Sequence, residues 1–167
     1  IEHAWLGWDC YYPQVDKNIT VFLNTEQGTD KPVSDENVPW KYCGYESVVD
    51  RLVRDGNEAY NVTPFAPPYP NSFGEICSEI ANLCSNDGKK YIYSYWNEPD
   101  SVMHKFGCYS DEAKSVIADI EKEITEMCEK LEDTLLIVTA DHGHIDGRNE
   151  SITDYPAIME CLVRMPS

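Results

Sequence analysis

Thr134-Leu135-Leu136-Ile137-Val138-Thr139-Ala140-Asp141-His142-Gly143-His144 changes character midway along its length. Its first half is a continuous apolar run, the pattern of a strand buried on both faces in the middle of a sheet. Its second half turns abruptly polar around a glycine. A second stretch has the same order. Lys89 to Trp96, rich in aromatic residues, reads as a strand, and it runs into Asn97-Glu98-Pro99-Asp100-Ser101-Val102-Met103-His104. Each strand is thus followed at its carboxyl end by Asp and His, and in open α/β sheets that edge is where ligands bind.

The surroundings of the two stretches alternate helix and strand. Between them, Ala113, Val116, Ile117, Ile120, Ile124, Met127 and Leu131 recur at steps of three and four. This predicts a long helix from Ser110 to Leu131, with Ser110 as N-cap. Upstream, Asn71 or Ser72 caps a helix carrying Ile76, Ile80, Leu83 and Cys84 on one face. Pro64-Phe65-Ala66-Pro67-Pro68-Tyr69-Pro70 before it reads as loop, because each Pro removes a donor and restricts its predecessor. Residues 58–65 fit a strand and residues 45–54 a helix stopped at Gly56. Ile19 to Leu23 is a short β-like run, and residues 24–40 read as polar loop.

This alternation predicts an α/β fold, a three-layer αβα sandwich around a mostly parallel sheet covered on both faces. The length of 167 residues predicts a single domain. Ile1 in place of Met leads us to expect a piece of something longer, with an incomplete sheet.

Thirty acidic residues against 13 basic ones give a net charge of -17. Such a surface repels a phosphate backbone, which argues against binding a nucleic-acid duplex. An anionic substrate would have to be received by something other than Lys and Arg, and a metal held by Asp would do so. No apolar run approaches the ~18 residues of a membrane span, and no signal peptide is visible. Seven cysteines, at 10, 43, 77, 84, 108, 128 and 161, are odd in number and show no C-x-x-C spacing. They read as reduced thiols, hence a cytoplasmic location.

Asp oxygen with neutral imidazole nitrogen suits zinc, and other borderline divalent ions less specifically. Asp100 with His104 and Asp141 with His142 are therefore candidate ligand pairs, with Pro99 and Gly143 expected to keep both segments out of helix. Two such half-sites on neighbouring strands would hold two metals about 3.5–4 Å apart, the two-metal phosphoester arrangement. His144 and Asp146 are candidates for orienting His142 from outside the ligand set; a plain loop role is the competing reading. The aromatic cluster Trp5, Trp8, Tyr11 and Tyr12 fits core packing, or stacking on a base or sugar. No Walker loop, G-x-S-x-G or dinucleotide fingerprint occurs.

Thr139-Ala140-Asp141-His142-Gly143-His144 resembles the metal-binding D-H-G segment of the alkaline phosphatase superfamily. Tyr95 to Gly107 resembles the E-P-D-x-x-x-H-x-x-G motif of its type I phosphodiesterase/nucleotide pyrophosphatase branch. Glu2-His3-Ala4 is similar to that branch's P-x-x-H-G stretch. The resemblance implies a metal-dependent phosphoric ester hydrolase with two zinc ions and a small phosphate-ester or nucleotide substrate. Asp100 and His104 would hold one ion and Asp141 and His142 the other.

The family's nucleophile, a Thr or Ser, falls upstream of the His3 stretch, so none is assigned here. The third His of the first zinc site falls well beyond D-H-G, and the family's phosphate-contacting Asn falls near Trp8-Asp9, where there is none. The Gly after His3 is Ala4. The resemblance therefore implies the central part of a larger catalytic domain, binding metal weakly and inactive alone. A phosphomutase or sulfatase of the same superfamily, and a non-catalytic scaffold that kept the fold, are the rival readings.

Overall fold

The computed structural model describes residues 9–162 apart from Phe22, Tyr45 and Asn149. His3, Trp5 and Trp8 lie outside the described residues. In chain order the elements are β1 (Asp9–Tyr12), β2 (Lys17–Thr20), β3 (Thr25–Glu26), α1 (Val38–Cys43), α2 (Val48–Arg54) and β4 (Glu58–Val62). They continue with α3 (Phe73–Cys84), β5 (Lys90–Ser94), α4 (Asp100–Phe106), α5 (Asp111–Cys128), a 3-10 turn (Ile152–Asp154) and α6 (Pro156–Met159). These fall into two compact units, residues 1–47 with 149–167, and residues 48–148.

The first unit is built on an antiparallel sheet in the order β1-β2-β3. Tyr12, Ile19, Val21 and Val38 form its core, so Tyr12 takes the packing role. Burial, reinforced by Cys43 and Cys10, pushes the Tyr12 phenol up to about 12. Residues 24–40, expected to be loop, contain β3 and the start of α1. Asn24 makes this possible. At φ +56° its amide donates to the Ser34 and Glu36 carbonyls, and its oxygen accepts from Val38 N at the start of α1. One side chain thus satisfies backbone groups that would otherwise need a longer ladder.

Residues 48–148 form an α/β unit. β4 and β5 pair in parallel, from Glu58↔Lys90 to Val62↔Ser94, with α3 in the crossover. Ser72 caps α3 by accepting from Glu75 N at 3.2 Å, and Glu75 in turn accepts from Asn71 N at 2.7 Å. This is a variant of the reciprocal capping box. Ser110 caps α5 by accepting from Ala113 N at 3.1 Å. α3 and α5 pack against each other, and Val62, Ile76, Cys77, Ile80 and Met127 form the core beneath β5. Burial pushes the Cys77 thiol up to about 11, so it is a packing group.

Two expectations change here. The segment after Pro99 is a helix, α4, because Pro is tolerated where a helix begins and its missing N–H would have no intrahelical partner there. The run 134–140 is not a buried strand: it pairs with no strand, and Leu135, Ile137 and Val138 are 86 %, 75 % and 64 % exposed. Only Leu136 packs against the core cluster. An apolar run becomes a strand only when a neighbour supplies its ladder, and no described segment does so. Instead Tyr93–Trp96 and Leu136–Ala140 line a cleft of about 690 Å³ together with Ile76, Ile80, Ile120 and Met127.

Candidate metal centre

The D-x-x-x-H spacing acquires a geometric meaning from α4. Residues four apart share one helix face, so Asp100 and His104 project together, His104 Nε2 lying 3.6 Å from Asp100 Oδ1. Glu98 starts the helix, its carboxylate accepting from Val102 N at 3.2 Å. Gly107 ends it with φ +93° and ψ 156°, a backbone region essentially confined to glycine. The chain then turns so that Cys108 N donates to Asp146 Oδ1 at 2.7 Å. That bond is the first cause holding the Asp146 carboxyl below the usual carboxylate range.

Asp146 therefore pins the 141–147 segment to the α4–α5 turn; the contact it makes is with Cys108. His144, two residues earlier, is brought to the carboxylate of α4, its Nδ1 3.4 Å from Asp100 Oδ1. The His144 and His104 rings meet edge-on, centroids 4.5 Å apart at 81°. Ligand atoms of Asp100, His104 and His144 all lie within 4.8 Å of one another, the one such trio among the described residues.

Asp141 and His142 form a neighbouring pair, His142 Nε2 standing 3.8 Å from Asp141 Oδ1 and 3.9 Å from Asp100 Oδ1. His142 Nδ1 lies 2.9 Å from the Gly143 carbonyl. Donation there raises the affinity of the ring for its proton, with Asp141 adding to the effect, and it assigns the lone pair of the neutral ring to Nε2.

Asp100 Oδ1 is the common point. It is buried with no hydrogen-bond partner, although three imidazole nitrogens surround it at distances too long for hydrogen bonds. Donor atoms sharing one tetrahedral zinc with bonds of about 2.0–2.1 Å stand about 3.3–3.4 Å apart. His144 Nδ1 at 3.4 Å from Asp100 Oδ1 meets that value and His104 Nε2 at 3.6 Å lies just beyond it, so the donor set fits a divalent ion. Tyr95, beside the cleft, has its phenol pushed up by burial and then by the charges of Asp141 and Asp100.

Against this geometry, a model of the type I phosphodiesterase / nucleotide pyrophosphatase family matches residues 8–164. The chain belongs to that family. No curated protein and no solved structure matches it. The family is typically hydrolytic, generally metal-dependent, and acts on nucleotide and phosphodiester substrates. Among the described residues, no helix is long and apolar enough to cross a membrane.

Sequence reasoning had no role for Glu98 or Gly107. Their signal was present: an acid just before a helix-starting Pro, and a glycine just after the last helical residue. A Cβ on Gly107 would meet Asp146 Oδ1 at 3.3 Å in a backbone conformation side chains rarely adopt. Gly107→Ala is expected to destabilise the chain by about 1–3 kcal/mol. It should also weaken metal binding by loosening the 141–147 segment. Urea unfolding of the metal-free chain and a zinc titration check the two parts separately.

Proposed function

We propose that this chain carries the metal-binding centre of a nucleotide pyrophosphatase/phosphodiesterase-type hydrolase. In this reading Asp100 and His104 hold one divalent ion, and Asp141 and His142 a second, zinc best matching oxygen and imidazole donors. The observation that carries it is Asp100 Oδ1, buried, unpartnered and central to the imidazoles of both half-sites. Bound ions would supply the positive charge that a phosphoryl group needs during in-line displacement. That role has no evident substitute on a surface with a net charge of -17.

The protein's own groups do the positioning. Glu98 fixes the start of α4, Asp146 fixes the 141–147 segment, and the Gly143 carbonyl selects the His142 tautomer. The cleft beside them, lined by Tyr95, Trp96 and Met103, offers aromatic surface to the organic part of a phosphate ester. The three-layer sandwich belongs to the same proposal. A run in which Leu135, Ile137 and Val138 are exposed beside an apolar cleft is what a central strand looks like without its neighbour, and residues 1–167 would be the middle of a larger catalytic domain. The nucleophile would then come from a segment outside these residues.

The test is bound zinc and hydrolysis of bis-p-nitrophenyl phosphate, on this chain and on a form extended at both ends. The extended form should hold about two zinc ions and turn over, while this chain binds metal without turnover. An extended form that neither binds zinc nor cleaves the ester leaves a non-catalytic scaffold and ends the hydrolase reading.

A further inference from the structure

We propose that His144 is the third protein ligand of the ion held by Asp100 and His104, making a two-His, one-carboxylate site within residues 100–144. This rests on the metal-dependent reading above and goes beyond it. The resemblance looks for the third ligand well beyond D-H-G, and sequence reasoning placed His144 outside the ligand set.

The geometry argues for direct ligation. His144 is the most buried of the three imidazoles, with 17 % of its side chain exposed against 58 % for His142 and 68 % for His104. Its Nδ1 makes the nearest approach to Asp100 Oδ1, 3.4 Å, close to the edge of a zinc tetrahedron and beyond a good hydrogen bond. An orienting role would require a hydrogen bond to another ligand, and neither Asp100 Oδ1 nor the edge-on His104 ring provides one. The segment that delivers His144 is anchored two residues later by the 2.7 Å bond from Cys108 N to Asp146. Two imidazoles and a carboxylate leave one tetrahedral position for a phosphate oxygen, the open arrangement of catalytic zinc sites.

Cobalt(II) provides a direct readout on the 167-residue chain. Because Cys108 lines the same cleft, the comparison is made in a Cys108→Ser background. Adding His144→Cys should produce a thiolate-to-cobalt charge-transfer band in the near ultraviolet, absent from Cys108→Ser alone. His144→Ala should weaken zinc binding beyond the roughly 10–100-fold that losing an outer-shell partner costs, with unchanged far-ultraviolet circular dichroism. The inference is overturned if cobalt binds to the His144→Cys chain without the band, or if His144→Ala weakens zinc less than about 10-fold. A starting chain that binds neither ion overturns both this assignment and the metal-dependent reading. Binding that ignores position 144 overturns this assignment alone.

Discussion

Asp100→Ala is expected to abolish zinc binding at both half-sites while leaving the metal-free chain as stable as before or slightly more stable. The two parts have opposite causes. For the metal, Asp100 Oδ1 is the atom that His144, His104 and His142 all approach, at 3.4, 3.6 and 3.9 Å. Removing it takes the anionic donor from the trio and a group that reaches both half-sites. The loss should exceed the roughly 100-fold upper range for an outer-shell change. For the fold, a buried acceptor without a donor costs about 1–3 kcal/mol, a penalty that truncation removes. Opposing it, a carboxylate in the first turn of α4 is worth about 0.3–1 kcal/mol against the helix dipole. With 42 % of the Asp100 side chain exposed, the penalty lies at the low end of its range, and the net should lie between zero and about 1 kcal/mol in favour of the variant. Urea unfolding of the metal-free chain in chelator measures it. Clear destabilisation there would make Asp100 a structural residue held by its neighbours, and the metal argument would lose its main support.

What the sequence made legible follows from what is local. Ser72 and Ser110 cap the helices expected of them, because a cap depends on residues three apart. β4 and β5 lie where their aromatic and apolar residues put them, and their parallel pairing follows from the helix between. Asp100 stands 3.6 Å from His104 and 3.9 Å from His142, the first of these because residues four apart share a helix face. What escaped was non-local. Nothing in 134–140 says whether a neighbouring strand is present, and without one the run is exposed. Pro99 read as a helix breaker because its missing N–H was weighed without asking whether it stood at a helix start. His144 looked secondary because its approach to Asp100 depends on Asp146 meeting Cys108, 38 residues earlier in the chain.

Ile76→Ala is expected to destabilise residues 48–148 by about 2–5 kcal/mol. Ile76 is fully buried between α3 and the sheet. It also lines the cleft, so truncation both loses apolar contact and enlarges that cleft. Against a total of about 5–15 kcal/mol for an ordinary domain, such a loss leaves little margin. It acts through packing, far in kind from the ligand set, and zinc separates the two. Zinc at roughly 100 times its Kd adds about 2.7 kcal/mol to any fold that binds it. The unfolding midpoint of Ile76→Ala should therefore rise with zinc as the unsubstituted chain's does, while that of Asp100→Ala should not move. If Ile76→Ala failed to respond to zinc yet remained folded, the ligand geometry would depend on the packing under β5. The metal centre and the core would then be one cooperative unit.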